Sequence, residues 1–352
     1  MRLWGTARNW LCGLVAAPLP LFLGGAPHAP RPALSAFASQ PTTRTHVLIV
    51  SGVGGDSARS ERFTRLALEA SAALRTRFNV EDSLITVLAE RTARDPRIIR
   101  DRSTRDAVQA AFERIAARAQ PNERVVFLFI GHGSAQSGRP QLALVGPDLG
   151  AADLAALLAP IKATTLAVVL AASASGDFVK PLSGPGRVII TATKSGAEQN
   201  ESLFAEHFVT ALGADAADAD KDHGVSFLEL FAYTRREVAR VYETSNRLLT
   251  EHAVLDDDGD GVGHGDASTN GADGKLASRV TINRVGTVAA TNNPRAAPLL
   301  RRREDLQRDI DSLRARRDRL SPAEYDQRLE DLVVQLARVN RALRDTLGIP
   351  RK

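Results

Sequence analysis

The sequence predicts an α/β protein: a mostly parallel sheet flanked by helices, with an α-helical hairpin at the C-terminal end. Three observations carry that expectation. Val125–Ile130 is an unbroken apolar run that meets Gly131-His132-Gly133, and such a run bounded by turn residues reads as a strand buried on both faces of a parallel sheet. Apolar strands alternate with helical patterns from residue 45 to residue 244, the arrangement of parallel βαβ units. Beyond residue 299 the leucines recur at three- and four-residue steps on either side of a proline-containing cap, which marks two successive helices.

Taken in order, residues 1–38 read as an export signal. Arg2 and Arg8 precede an apolar region from Trp10 to Leu23, and Ala36-Phe37-Ala38 offers a small-x-small cleavage site before Ser39. Pro18 and Pro20 interrupt the apolar run, so no membrane span is expected after processing, and the chain is expected in the periplasm or outside the cell. Residues 39–44 are linker. The main domain, 45–266, opens with a strand at Thr45–Ser51, then Gly52-Val53-Gly54-Gly55 and a helix from about Ser57 to Phe78. Ser83–Leu88 is the second strand. A helix from Ser103 to about Gln120 carries Val108, Ala111, Phe112 and Ile115 on one face. Val125–Ile130, Thr165–Ala172 and Arg187–Thr193 are strands three to five, with a helix at Ala151–Leu158 between the first two. A loop, Lys194–Asn200, leads to a helix from about Glu201 to Leu212, an acidic stretch at 218–229, and a helix to about Thr244.

Residues 267–298 are expected to be a linker holding one short strand near Val280–Ile282. The hairpin, 299–347, has one seam of Leu299, Leu306, Ile310, Leu313 and Leu320 and another of Tyr325, Leu329, Leu332, Leu336, Val339 and Leu343. Between them Ser321-Pro322-Ala323-Glu324 is a capping box with proline at the first helical position. Arg303 and Arg317 interrupt the first seam, so this coiled-coil-like unit is expected to dock on a partner or a second copy of the chain.

Charge excludes one class of partner. The net charge of +5 is unevenly spread: residues 1–38 hold three arginines and no acid, and the tail from 295 interleaves 15 basic with 10 acidic residues. That is a solvated helix surface without aromatic interleaving to stack bases, so nucleic acid is not an expected partner. Cys12, the only cysteine, lies within the export signal, which leaves the processed chain without a disulfide, a thiolate metal site or a thiol nucleophile.

In open α/β sheets ligands sit outside the carboxyl ends of the strands. Two strand ends here carry chemistry: Phe129-Ile130-Gly131-His132-Gly133, and Ala171-Ala172-Ser173-Ala174-Ser175-Gly176. The segment Ile190-Thr191-Ala192-Thr193-Lys194-Ser195-Gly196 follows them as a fifth strand and loop. In order and spacing these elements resemble the caspase-like and legumain-like cysteine peptidases over roughly residues 45–265, most nearly exported bacterial members with an acidic insert and a helical tail. The resemblance implies a caspase-like sheet, a peptide or protein ligand, His132 as general base, the backbone N–H of Gly133 as an oxyanion donor, and position 173 as the nucleophile.

The departure is at that nucleophile. Ser173 stands where the family has cysteine, and a hydroxyl, unlike a thiol of pKa about 8.5, cannot be held ionised by a neighbouring histidine. Serine needs a base that is itself oriented by a third group, and only Asp148 or Asp153 is a candidate for reaching His132. The expectation is a catalytically degenerate peptidase that keeps a peptide groove. The alternatives are an active endopeptidase or acyl hydrolase using Ser173 and His132, and a calcium-stabilised scaffold or adhesion module. Gly52-x-Gly54 before a helix, with Glu90 beyond the second strand, is only a partial dinucleotide fingerprint, because Ser57 replaces its third glycine. No nucleotide is expected.

Asp218, Asp220, Asp222, Ser226 and Glu229 occupy positions 1, 3, 5, 9 and 12 of an EF-hand-like loop, with His223 where glycine makes the turn. Weak Ca²⁺ binding is expected there, in competition with a Ser226-x-x-Glu229 capping box. Asp256-Asp257-Asp258-Gly259-Asp260-Gly261 repeats the opening of such a loop but has Ala267 in place of its last acid. It is expected near the sheet's carboxyl edge, where it would offer negative charge to a basic substrate residue.

Overall fold

The computed structural model describes residues 44–221, 224–282, 295–314, 317 and 320–347. The export signal, most of the 39–44 linker and Asp222 lie outside them.

A seven-stranded sheet organises the chain. Its strands are β1 (Thr45–Ser51), β2 (Ile85–Ala89), β3 (Ile99–Arg102), β4 (Arg124–Gly131), β8 (Thr165–Ala172), β9 (Arg187–Thr191) and β10 (Val254–Asp256). They lie in the order β10-β9-β8-β4-β1-β2-β3, all parallel except β10, which pairs antiparallel with β9. Three short strands, β5 (Gly133–Ser134), β6 (Gln141–Leu142) and β7 (Leu149–Gly150), form a small antiparallel sheet directly after β4.

The side-chain period of two separates the core into two layers. Val47, Ile49, Val126, Leu128, Ile130, Ala167, Val169 and Ala171 face α1 (Ser57–Thr76), α5 (Phe204–Gly213) and α6 (Phe227–Thr244). Leu48, Val50, Phe127, Phe129, Val168 and Leu170 face α2 (Arg105–Arg118), α3 (Ala151–Leu158) and α4 (Val179–Leu182). Both faces are covered, which is why β4 and β8 are apolar throughout rather than alternating. Phe127 and Phe129 are fully buried, and truncating either to alanine would cost roughly 3–5 kcal/mol.

Helix starts follow their caps. Asp56 accepts the N–H of Arg59 at α1, Thr104 that of Ala107 at α2, and Ser226 forms a complete capping box with Glu229 at α6. Residues 267–282, expected to be linker, instead reach the core: Ala277, Val280 and Ile282 are buried in the first layer. The strand expected at Val280–Ile282 is only a single bridge, Thr281 to Ser226. Around it, Phe227 N–H donates to Val280 C=O and Thr45 Oγ1 to Ile282 C=O. The backbone there is satisfied by isolated contacts, so no ladder is needed.

At the C-terminal end α7 (Ala297–Arg314) and α8 (Pro322–Leu347) pack antiparallel through Ala296 and Leu299 against Val339 and Leu343, with Arg302 bonded to Gln335. Ser321 and Glu324 form the expected reciprocal cap. Arg317 stacks on the Tyr325 ring. No described helix is long and apolar enough to cross a membrane.

Candidate functional site

Register places the two chemistry-bearing strand ends together. Ile130 pairs with Ala171 and Gly131 with Ala172, so the next pair outward is His132 and Ser173. Residues 126, 128 and 130 and residues 167, 169 and 171 all face the α1 and α5 layer. Alternation therefore continues His132 and Ser173 onto that same face, just past the carboxyl ends of β4 and β8. The imidazole meets α1 edge-on at Phe63, with ring centroids 5.1 Å apart.

Each side chain is held, but by backbone rather than by the other. His132 Nε2 lies 3.3 Å from the carbonyl oxygen of Gly54. A carbonyl can only accept, so Nε2 carries the proton and Nδ1 is the ring's acceptor nitrogen. The N–H of Gly54 in turn donates to Glu90 Oε2 at 3.3 Å. Ser173 is buried, and its Oγ accepts from Gly133 N–H and donates to Gly133 C=O, both at 3.3 Å. Among the described residues no hydrogen bond joins His132 to Ser173. The oxyanion donor expected at Gly133 is thus engaged by the hydroxyl itself.

The electrostatics favour a neutral imidazole. Burial holds the His132 pKa below its usual 6.5, the bond to Gly54 opposes that, and the Arg59 and Arg62 charges add to it. Neither carboxylate proposed as its partner reaches it: Asp148 accepts from Leu144 N–H and Asp153 pairs with Arg105. The orienting group is the Gly54 carbonyl, and Glu90, weighed above as part of a dinucleotide fingerprint, fixes Gly54. A sequence cannot reveal this, because a backbone acceptor leaves no residue signature.

The loops around the pair are closely fitted. Ala174, directly after Ser173, has φ of 51° and donates its N–H to Glu198 C=O at 2.7 Å. A side-chain-bearing residue in this left-handed region costs about 1–2 kcal/mol, and the loop after β9 holds it there. Gly176 touches the backbone of Lys194 and Ser195 so closely that a Cβ would lie 2.1 Å from Lys194 C. Ser175 is fully buried, its Oγ 3.3 Å from Thr193 Oγ1. Residues not anticipated also meet here. Glu198 pairs with His252 at 2.6 Å, and buried Glu251 accepts the Leu203 N–H through both oxygens. Burial raises the Glu251 pKa. Ala192, Phe204, Arg235, Glu251 and His252 line a small pocket of about 50 Å³ beside this loop. The only sequence signal for it was the polar Thr250-Glu251-His252 ahead of an apolar run.

The two acidic loops are built differently. Asp218, Asp220 and Glu229 bring one carboxylate oxygen each within 4.8 Å of one another. Glu229 is already committed, however. Its Oε1 accepts from Ala219 and Asp220 N–H, and its Oε2 from Ser226 N–H and Oγ. Lys221, with φ of 60°, takes the left-handed turn and donates to Asp218 C=O. The second loop lies elsewhere than expected. Because β10 is antiparallel, with Val254 opposite Thr191 and Asp256 opposite Ile189, Asp256 leaves at the amino edge of the sheet. Gly259 there abuts Gly184, ahead of β9. The sheet separates this loop from His132 and Ser173, so it does not read substrate beside them.

No protein-family model matches the chain, and no curated protein does. Among solved structures it is similar to the Drosophila initiator caspase Dronc, with 10% identity and a TM-score of 0.40 over 62% of this chain and 81% of that one. It is likewise similar to caspase-1 from Spodoptera frugiperda, with 11% identity and a TM-score of 0.38 over 61% of this chain and 87% of that one.

Proposed function

We propose that this chain is an exported protein of the caspase- and legumain-like peptidase fold that has lost catalysis and keeps a peptide-binding groove. The observation that carries the reading is the pairing of His132 and Ser173 on one face of adjacent, in-register strand ends. The histidine is equipped as a base: it is oriented through Nε2 by a backbone carbonyl and biased toward its neutral form. The serine is not equipped as a nucleophile, since its Oγ is buried on Gly133 and makes no bond to the imidazole. A base without a proton to take supports binding over turnover.

Hydrolysis of a broad panel of fluorogenic peptides tests this reading. The expected result is no cleavage by the wild-type chain above that of Ser173→Ala or His132→Ala, with saturable binding of some peptides. Turnover lost in both variants would instead establish the hydrolase alternative.

Two further proposals attach to this reading. Weak Ca²⁺ binding at Asp218, Asp220, Asp222, Ser226 and Glu229 draws support from the convergence of three of these carboxylates; a melting temperature indifferent to both Ca²⁺ and chelator would remove it. The C-terminal helices are proposed to dock a partner or a second copy, supported by exposed Val333 and Val334 on α8. Sedimentation of the wild type against Val333→Glu/Val334→Glu distinguishes self-association from a monomer.

A further inference from the structure

Between residues 256 and 273 the chain holds six aspartates against one histidine and no lysine or arginine. These acids fall into sets with different surroundings. Asp257 and Asp273 are structural. Asp257 accepts the N–H groups of Gly274 and Ala277 at 2.8 and 2.6 Å. Asp273 accepts from Asp257 and Asp258 N–H through Oδ1 and pairs with His264 Nδ1 at 2.6 Å through Oδ2. Every oxygen of those two carboxylates has a partner.

Asp256, Asp258 and Asp260 are different. Each offers a carboxylate oxygen, and the three lie within 4.8 Å of one another. Each Oδ1 accepts one backbone N–H, from Gly259, Asp260 and Val262 respectively. Among the described residues none of the three forms an ion pair. Lys180 packs its stem against Gly261 but makes no salt bridge to them.

The separate observation lies underneath. Asp256 is 1% exposed, and its Oδ2 is buried with no hydrogen-bond partner. The neighbouring Ser183 Oγ is likewise buried and completes no hydrogen bond. Buried polar atoms are almost always satisfied, and a charged one left open is especially unfavourable. An open, buried carboxylate oxygen beside two further carboxylates therefore points to a cation.

We propose that Asp256, through its unpartnered oxygen, together with Asp258 and Asp260 binds a Ca²⁺ ion that ties β10 to the segment preceding β9. The donors are all hard oxygens, which select Ca²⁺ over softer-ligand metals, and their irregular placement suits Ca²⁺ better than octahedral Mg²⁺. Spacing agrees: the three occupy positions 1, 3 and 5, and Gly261, with φ of 80°, makes the turn at position 6. Ala267 at position 12 withholds the bidentate acid, so the affinity is that of a weak site, with a dissociation constant of about 10⁻⁴ M or above. The site is on the opposite sheet edge from His132 and Ser173 and stands independently of the peptidase reading.

Calorimetric titration of the full chain with Ca²⁺, alongside thermal melts in about 5 mM Ca²⁺ and in chelator, tests the proposal. With a dissociation constant near 10⁻⁴ M the wild type should gain roughly 4–8 °C, and about 2–4 °C with one near 10⁻³ M. Asp258→Asn/Asp260→Asn, both exposed positions, should fold yet lose this site and the shift that goes with it. Glu229→Gln, in the other acidic loop, should keep both. No saturable binding in the wild type, or binding that survives Asp258→Asn/Asp260→Asn unchanged, would overturn the proposal.

Discussion

Gly54→Ala tests the orienting contact behind His132. A Cβ at residue 54 would sit 2.2 Å from Ser60 N and 2.7 Å from both Arg59 C and Ser60 Oγ. Two of these atoms are backbone in the first turn of α1, so either that turn or Gly54 must shift. Overpacking of this kind costs about 1–3 kcal/mol. The shift also disturbs the bonds from Gly54 to Glu90 and His132, worth about 0.5–1.5 kcal/mol each. The sum is roughly 2–6 kcal/mol, or a fall of about 4–24 °C in Tm for a domain of this size. Gly55→Ala is the control, since Gly55 has φ of 80° but nothing within 4 Å of its added Cβ. It should lose only about 1–2 kcal/mol from backbone strain. Urea melts give the stabilities, and ring ¹⁵N shifts give the His132 tautomer. The reasoning fails if Gly54→Ala is no costlier than Gly55→Ala and leaves the Nε2–H tautomer unchanged.

Two other outcomes follow from the same contacts. In an NMR titration His132 should protonate below 6.5, because burial disfavours its cation. The unfolded chain then binds the extra proton first, so His132's contribution to stability holds above about 6.5 and declines as pH falls toward its lowered pKa. A titration at or above the usual value would contradict this. Ser226→Ala removes the cap of α6 and the hydroxyl that Glu229 accepts. It should cost about 0.5–2 kcal/mol in urea melts, and an unchanged midpoint would place the stability of that helix start elsewhere.

The sheet was legible because both its faces are covered. Thr45–Ser51 and Thr165–Ala172 have the boundaries that their apolar runs predicted, and β2, β4 and β9 differ by one to two residues at their ends. The strands that escaped notice are edge or miniature ones. β3 reads IRDR and buries only Ile99, and β10 is three residues long, so neither has room for a period. Missing β10's antiparallel direction is what placed the Asp256 loop at the wrong edge. At the site, His132 and Ser173 were readable because glycines and small residues end their strands. Gly54 and Glu198 were not, since they act through backbone carbonyls that any residue supplies. The burial of Val280 and Ile282 went unread because their anchors, Thr45 and Phe227, are far away in sequence.

Replacing one atom interrogates the shared cleft most directly. If the imidazole at 132 remains oriented beside position 173, Ser173→Cys gives it a thiol whose proton it can take. The account predicts that Ser173→Cys cleaves at least one peptide of a broad fluorogenic panel, and that adding His132→Ala abolishes the cleavage. No cleavage by Ser173→Cys, or cleavage that persists without His132, would contradict it.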